Sequence, residues 1–181
     1  MLIEALVVSI IIGKLRKGRI SNLGEIRLIR TVLLFMAIFI QVAINYFGRA
    51  ALGSAGGVMH LSSYFFVFYF FWLNKQTFNI FLPLGTFLNF LVIALNKGSM
   101  PVDSRYMTDA SIEKLAFSVT HTIMTETTIF PWLADIIYIK WPGQQLISIG
   151  DIFICAGIFI FIQRVMGQPR QGDRDLSGGR E

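Results

Sequence analysis

Long runs of apolar residues, separated by short polar stretches, predict helices that cross a membrane. Such a helix needs about 20 mostly apolar residues. The runs predict five spans. Four of them have bounds near Leu2–Leu15, Leu28–Phe47, Phe78–Leu95 and Leu146–Phe161. The remaining span, third in chain order, begins within residues 48–57 and ends near Leu73. The first run is short for a span, and Lys14 and Arg16 can extend it by reaching the interface.

The stretch between the last two runs, from Asn96 to Asp151, holds most of the polar features of interest. From Asp109 to Thr127, apolar residues recur at helical spacing, and the other face carries charges and hydroxyls. This pattern predicts an amphipathic helix that lies at the interface or re-enters the membrane. We therefore expect an all-α fold, a polytopic transmembrane helical bundle of about five spans plus this helix. If residues 108–130 cross the membrane, there are six spans.

Composition agrees with a protein whose main partner is the lipid bilayer. Hydrophobic residues make up 54% of the chain, charged residues 15%, and the mean hydropathy is +0.62. The net charge of +5 comes from basic residues at the ends of apolar runs, so we expect no nucleic-acid partner. The single cysteine, Cys155, lies in an apolar run and can form no internal disulfide.

The distribution of basic residues predicts an orientation. Residues 14–30 carry six Lys or Arg against one Glu, and cytoplasmic loops are enriched in such charges. We expect a multi-pass protein of a bacterial plasma membrane, with the N-terminus outside, the C-terminus cytoplasmic and the stretch Asn96–Asp151 on the outer face. Residues 1–163 form the predicted transmembrane domain. The Gly-rich, polar residues 164–181 form a predicted disordered cytoplasmic tail.

Asp151, Asp135 and His121 are the candidate catalytic residues. Asp151 lies about five residues into an apolar helix, where a carboxylate costs up to about 3 kcal/mol near the centre of the bilayer. Asp135 precedes it by sixteen residues, and the W-P-G loop between them could bring the carboxylates together for acid/base chemistry. Alternatively, Asp151 and Ser148 cap the start of the last helix. The sequence leaves both roles open.

Further polar or adaptable side chains are candidates for ligand binding: His60, Asn89, Asn96, Met100 and Glu126. His60 is a lone histidine within a predicted span, where ionisable residues often serve function. Asn89 and Asn96 are two helical turns apart and share a face. No His, Cys, Asp or Glu spacing typical of a metal site is present, so we expect no metal. No motif indicates a cofactor.

Four stretches carry a family resemblance: G-R-I-S-N-L, L-N-K-G-S-M-P-V, H-T-I-M-T-E-T-T-I-F-P-W-L-A-D-I-I and S-I-G-D-I-F-I-C-A-G-I-F. Together they resemble a family of small bacterial integral membrane proteins known only as a domain of unknown function. The last stretch also resembles, locally, the F-N-x-A-D-x-x-I-x-x-G motif of lipoprotein signal peptidases. That resemblance implies a catalytic role for Asp151. The chain departs from it at Ser148 and Gly150, and it has no counterpart of the second motif, G-N-x-x-D-R.

Three functions are compatible with these patterns. The first is a membrane protein that binds a lipid, a small molecule or a partner subunit through an outer-face polar pocket. The second is an intramembrane hydrolase or transferase of the aspartyl type, using Asp151 with Asp135 or His121. The third is a small transporter or ion pathway, which would need a homo-oligomer. Its expected lining is Gln41, Asn45, Asn89, His60 and Asp151.

Overall fold

A computed structural model describes residues 1–168, and these residues are mostly helical. They form seven α-helices: α1 Leu2–Leu15, α2 Ser21–Gly24, α3 Val32–Leu52, α4 Ser54–Leu73, α5 Phe81–Leu95, α6 Asp109–Phe117 and α7 Ile149–Met166. They also form four three-residue strands: β1 Met100–Val102, β2 His121–Ile123, β3 Ile137–Ile139 and β4 Gln145–Ile147. Two 3₁₀ turns cover Ser104–Tyr106 and Pro131–Leu133.

Within the described residues, three helices are long and apolar enough to cross a membrane: α3, α4 and α7. Helix α1 has 14 residues and α5 has 15, which gives each a length of about 21–23 Å against a hydrocarbon core of about 30 Å. Helix α3 leaves large aromatic side chains uncovered, including Phe39 at 73% and Tyr46 at 85% exposure. The chain is therefore compatible with a membrane protein with three candidate spans, and the count of five stays a prediction.

The helices pack in neighbouring pairs, α3 against α4, α5 against α7 and α1 against α7. At one end of this bundle, the Arg19 N–H donates to the carbonyl of Met166, 2.9 Å away. At the other end, the last residues of α3 and α5 and the first residues of α4 and α7 border the segment between α5 and α7. The polar stretch singled out in the sequence is therefore gathered on one side of the bundle.

Close contacts between backbones fix this polar end against the helices. Gly57 in α4 lies against Gly98, in the turn after α5, so closely that a Cβ on either residue would clash with the other segment's backbone. Gly98 has φ +83°, which a glycine adopts without strain. The Gly98 carbonyl lies 2.7 Å from Nδ1 of His60. The turn after α5 is thus held directly on α4.

The predicted amphipathic helix is only half as long as expected, since α6 ends at Phe117. Ser118 is extended, with φ −71° and ψ 139°, and the following residues form β2, which pairs in parallel with β1. The reason is local composition: Val119, Thr120, Thr122 and Ile123 are β-branched and favour extended backbone. The prediction of a helix to Thr127 was wrong.

The ends of the other helices shift by a few residues from the predicted bounds. Residues 145–147 form β4 of an antiparallel hairpin with β3, so α7 begins at Ile149, three residues after the predicted Leu146. It continues to Met166, past the predicted end near Phe161. Helix α3 contains a kink at Gly48 (φ 74°, ψ 169°), next to the predicted end at Phe47. Of the predicted disordered tail, residues 169–181 lie outside the described residues.

Candidate functional site

Strand β1 organises the candidate site because a chain segment pairs with it on each side. Met100 pairs with His121 in β2, and on the other side Val102 forms an isolated bridge with Asp135. The Asp135 N–H donates to the Pro101 carbonyl, and the Asp135 carbonyl accepts from Asp103 N–H, both at 3.0 Å. These backbone bonds hold the side chains of His121 and Asp135 near each other, with Nε2 and Oδ2 3.8 Å apart.

Asp135 and His121 face a cavity of about 290 Å³ that lies between α6, the two-stranded β1–β2 sheet and the β3–β4 hairpin. We call it the Asp135 cavity. Two tyrosines on its wall, Tyr106 and Tyr138, stack with ring centroids 5.1 Å apart and an interplanar angle of 6°. The remaining polar lining comes from Thr108, Ser111, Gln144 and Gln145. The cavity therefore offers an acid, an imidazole, hydroxyls and aromatic rings to a small ligand.

The Asp135 carboxyl is buried without a full set of partners. The residue is 6% exposed, and its Oδ1 has no hydrogen-bond partner within the described residues. Burial, with a further contribution from the charge of Asp151, raises the pKa of Asp135 to about 8. At pH 7 most molecules therefore hold Asp135 as a neutral acid.

His121 is neutral at pH 7 as well. Surrounding protein atoms desolvate its ring and lower its pKa, although 46% of its side-chain surface remains accessible. Its Nδ1 lies 2.9 Å from the Thr120 hydroxyl, which leaves Nε2 directed toward Asp135. The pair is thus two neutral groups near neutral pH, and each is able to change protonation when a charged ligand arrives.

Asp103 is a buried carboxylate that, unlike Asp135, is paired with a cation. It directly follows β1, caps the 3₁₀ turn Ser104–Tyr106 and is 2% exposed. The Arg105 guanidinium donates to both of its oxygens, with Nε 3.0 Å from Oδ1 and Nη2 2.6 Å from Oδ2. Hydrogen bonds from the Arg105 guanidinium lower the pKa of Asp103. Among the residues that the structure describes, no Lys or Arg pairs with Asp135, and this difference marks it as the unusual acid of the region.

Asp151 has a structural role in the fold. Its Oδ2 accepts from the Ser148 N–H at 3.1 Å while the Ser148 hydroxyl accepts from the Asp151 N–H, which is a capping box at the start of α7. Its Oδ1 accepts from Asn89 Nδ2 at 2.9 Å. Both oxygens are thus occupied, and Asp151 is not part of the lining of the Asp135 cavity. A catalytic role for Asp151 stays a prediction.

The five residues predicted to bind a ligand lie apart from the Asp135 cavity. Asn89 accepts from the Ser148 hydroxyl at 2.8 Å, in addition to its bond to Asp151. Asn96 exchanges hydrogen bonds with the backbone of Ile129. Met100 is 4% exposed and packs in an apolar cluster with Val92 and Ile93.

His60, besides its contact with Gly98, packs against Tyr64, with ring centroids 5.6 Å apart. Glu126 is exposed in the loop after β2. These residues join elements of the fold or face solvent, and their predicted binding roles stay predictions. Within residues 1–168, no group of three or more His, Cys, Asp and Glu is gathered in a way that could hold a metal ion.

Sequence reasoning did not identify Tyr106, Ser111 and Gln144 as site residues. They come from a 3₁₀ turn, a short helix and a hairpin loop, which have no common period along the chain. The feature of the sequence that could have indicated them is the density of polar and aromatic residues between two apolar runs. That density locates the region but does not choose among its side chains.

Comparison with known proteins places the chain in a family. The family described as "Family of unknown function (DUF5317)" matches residues 25–163. An uncharacterized protein of Thermotoga maritima is 34% identical over 82 residues, which are 44% of this chain and 47% of that relative, so the match spans about half the relative's length. No solved structure matches the chain. The expected resemblance to a domain of unknown function is confirmed, and the chain belongs to the DUF5317 family of unknown function.

Proposed function

We propose that the protein is a membrane protein that binds a small, amine-bearing molecule in the Asp135 cavity. The observation that carries this proposal is the buried Asp135 carboxyl, whose Oδ1 has no hydrogen-bond partner within the described residues. A buried acceptor without a partner costs about 1–3 kcal/mol. A ligand that donates a hydrogen bond to Oδ1 removes this cost, so the cavity favours a ligand with a hydrogen-bond donor.

An ammonium group fits the chemistry of the cavity better than a neutral donor. It can convert Asp135 to the carboxylate and form a charge-assisted hydrogen bond, which is about twice as strong as a neutral one. Tyr138, which is stacked on Tyr106, offers an aromatic face that attracts cations, whereas the Tyr106 ring already has the Arg105 guanidinium over it, 5.9 Å from its centroid. Because Asp135 is mostly protonated at pH 7, binding an ammonium ion releases a proton. Affinity should therefore increase with pH up to about pH 8, the pKa of Asp135.

We place this cavity on the outer face of a bacterial plasma membrane. Helices α1 and α5 are proposed to cross with α3, α4 and α7, which gives five spans, the N-terminus outside and the C-terminus cytoplasmic. The support is that residues 14–30, Lys75 and Arg164 gather basic charge at the end of the bundle opposite the cavity, as expected of a cytoplasmic side. A partner subunit or second copy covering the exposed aromatic face of α3 is compatible with this arrangement.

The test uses matched pairs of probes on the full chain in detergent. Benzylamine and benzyl alcohol have the same shape and differ in charge, and other primary amines can be paired with their alcohols. Thermal unfolding is followed at pH 6.5 and 8.5. A ligand at ten times its Kd stabilises by about 1.4 kcal/mol. We expect an amine, but not its alcohol, to raise the unfolding temperature, and to do so more strongly at pH 8.5.

Two variants make the test specific. Asp135→Asn keeps the shape of the side chain and removes the ionisable group, so stabilisation by the amine should disappear. Glu126→Gln removes an exposed carboxylate that does not line the cavity, so stabilisation should be retained. Equal stabilisation of wild type and Asp135→Asn by amines, or equal effects of amines and alcohols, would contradict the proposal.

A second candidate is the aspartyl-type hydrolase or transferase, with the pair Asp135 and His121 in place of two aspartates. The observation that favours it is the 3.8 Å separation of the pair together with the raised pKa of Asp135, since general acids often have such values. This candidate requires that lipid or peptide turnover be lost in Asp135→Asn and retained in Asp151→Asn. Turnover that depends on Asp151 alone would contradict this pairing.

The polar side chains proposed to line a transport path are engaged in packing contacts. Gln41 in α3 donates to the Ser63 hydroxyl in α4 at 3.0 Å. Asn45 accepts from Thr120 at 3.1 Å, and Asn89 bonds to Asp151. These contacts support a role in holding helices and loops together, and for this reason we favour binding over transport.

A further inference from the structure

A second cavity, of about 480 Å³, lies on the opposite side of the β1–β2 sheet from the Asp135 cavity. Neighbouring strand residues divide between the two cavities: His121 and Val102 line the Asp135 cavity, whereas Pro101 and Thr122, with Ile123 at the end of β2, line the second one. The end of α5 and the loop after β2 complete the walls. We call this second cavity the Arg49 cavity.

The charges of the Arg49 cavity are all of one sign. Arg49 and Lys97 line it, and no Asp or Glu of the described residues does so. Glu126 belongs to the bordering loop but is not part of the lining. Within residues 1–168, neither cation forms a salt bridge with a carboxylate. Two cations that share a cavity without a counter-ion favour an anion between them.

The fold holds Arg49 in place without neutralising it. Its Nε donates to the Ser118 carbonyl at 2.9 Å, and its Nη2 donates to the Ser99 hydroxyl and to the His121 carbonyl, both at 3.1 Å. All three acceptors are neutral, and within the described residues Nη1 has no acceptor. The guanidinium is thus pre-oriented, with donors left for a ligand. Such pre-orientation favours planar recognition of phosphate.

Hydroxyl groups add further donors around the two cations. Thr122, Thr125, Thr127 and Thr128 line the cavity. The Thr125 and Thr127 hydroxyls lie 3.0 Å apart, and the Thr128 hydroxyl accepts from the Thr125 N–H at 2.9 Å, which leaves its own proton for a ligand. Cations together with hydroxyl donors and no acid are the groups that bind a tetrahedral oxyanion.

Apolar residues form one side of the same cavity. Leu95, Ile123 and Ile129 line it and are 40%, 36% and 46% exposed. Leu95 is the last residue of α5, so this apolar side begins where the bundle ends. The cavity thus has a cationic part for a phosphate and an apolar part next to the helices.

We infer that the Arg49 cavity is a binding site for a phosphate group, either in the headgroup of a membrane phospholipid or as a free phosphate. Both sources have the same anionic chemistry, and they differ in whether the apolar side is used. The site is separate from the Asp135 cavity and does not depend on the proposed function of that cavity.

The experiment uses the full chain in a maltoside detergent, which carries no phosphate. Inorganic phosphate is titrated with ³¹P line broadening as readout, and short-chain phosphatidic acid is titrated in parallel with native mass spectrometry. The variants are Lys97→Gln and Thr122→Val, each checked by thermal unfolding to be folded. Lys114→Gln is the control, because it removes an exposed lysine of α6 outside the cavity.

We expect saturable binding of at least one probe and about tenfold weaker binding in Lys97→Gln, as for the loss of one charge-assisted contact. Lys114→Gln should bind like wild type. Binding of phosphatidic acid alone identifies the lipid headgroup as the source, and binding of inorganic phosphate identifies the site as one for free phosphate. No saturable binding of either probe overturns the inference. So does binding that is equal in wild type, Lys97→Gln and Thr122→Val.

Discussion

The variant Asp135→Asn should gain stability relative to the wild type as the pH increases. Such a relative gain is unusual when a buried side chain is replaced. Burial raises the pKa of Asp135 from 3.8 to about 8. Between these values the unfolded chain releases a proton that the folded chain retains, so the free energy of unfolding of the wild type falls as the pH increases. Below pH 3.8 both states are protonated, and above pH 8 both are ionised, so the change is confined to this window.

The magnitude follows from the shift. Each pH unit between the two pKa values removes about 1.4 kcal/mol, so about 3 units up to pH 7 amount to about 4 kcal/mol. Asparagine does not ionise, so the variant loses none of this free energy of unfolding as the pH increases. The stability of Asp135→Asn relative to wild type should therefore increase by about 3 kcal/mol from pH 5 to pH 7. For a chain of this size that is a relative gain of about 5–10 °C in unfolding temperature.

The assay is thermal unfolding in detergent, followed by tryptophan fluorescence at each pH from 3 to 9. Asp103→Asn is the matched control with the opposite sign. The Arg105 guanidinium lowers the pKa of Asp103, so that carboxylate stabilises the fold above its unfolded pKa, and the effect is lost as the pH falls. Asp103→Asn should thus cost stability at pH 7, and this cost should become smaller as the pH falls below 3.8. A difference between Asp135→Asn and wild type that stays constant from pH 4 to pH 8 would refute the reasoning.

Three further predictions concern the fold around the site. Asp151→Ala removes the cap of α7 and the hydrogen bond from Asn89. Denaturant titration should show that the free energy of unfolding falls by about 1–3 kcal/mol. An unchanged free energy of unfolding would contradict the capping role. Gly57→Ala should strongly lower the unfolding temperature, because the added Cβ would clash with the backbone of the turn after α5. Gly24→Ala should be neutral or stabilising, because its added Cβ would meet no atom within 4 Å. Equal unfolding temperatures of the two variants would contradict the close packing at Gly57. A spin label attached at Phe39→Cys in vesicles should be relaxed by oxygen, which dissolves in lipid, and not by a water-soluble paramagnetic reagent, because α3 is expected to face lipid. Relaxation by the water-soluble reagent would contradict this expectation.

The sequence was sufficient to predict the helical framework because apolar runs mark it directly. The ends of α4 at Leu73 and of α5 at Leu95 were predicted to the residue, since polar N-K pairs follow both runs. The capping box at Asp151 was one of two open readings, and its residue types, Ser and Asp three apart, are sufficient to suggest it.

The geometry of the site could not be predicted in the same way. The meeting of Asp135 and His121 depends on β1 pairing with one segment on each side, and strands of three residues have too few positions to show a period. The helix predicted beyond Phe117 failed for a related reason. Helical spacing of apolar residues is weak evidence when the same residues are β-branched and a parallel strand is available to pair with them.

The Arg49 cavity has a similar origin. Arg49 follows the kink of α3 and Lys97 follows α5, and the 47 residues between them contain no cue that they line one space. Their convergence comes from the packing of α3 on α4 and from the contact of Gly57 with Gly98. The distribution of basic residues along the sequence predicted only that the stretch Asn96–Asp151, which contains Lys97, lies on the outer face.

The proposed function is tested most directly by infrared difference spectroscopy of ligand binding at pH 7. The amine that stabilises the protein most is added to the full chain, and the carbonyl band of protonated carboxylic acids is recorded. If Asp135 binds the amine, one protonated carboxyl band should disappear and a carboxylate band should appear in wild type, and neither change should occur in Asp135→Asn. An unchanged carboxyl band in wild type with the amine bound would contradict the assignment of Asp135 as the binding group.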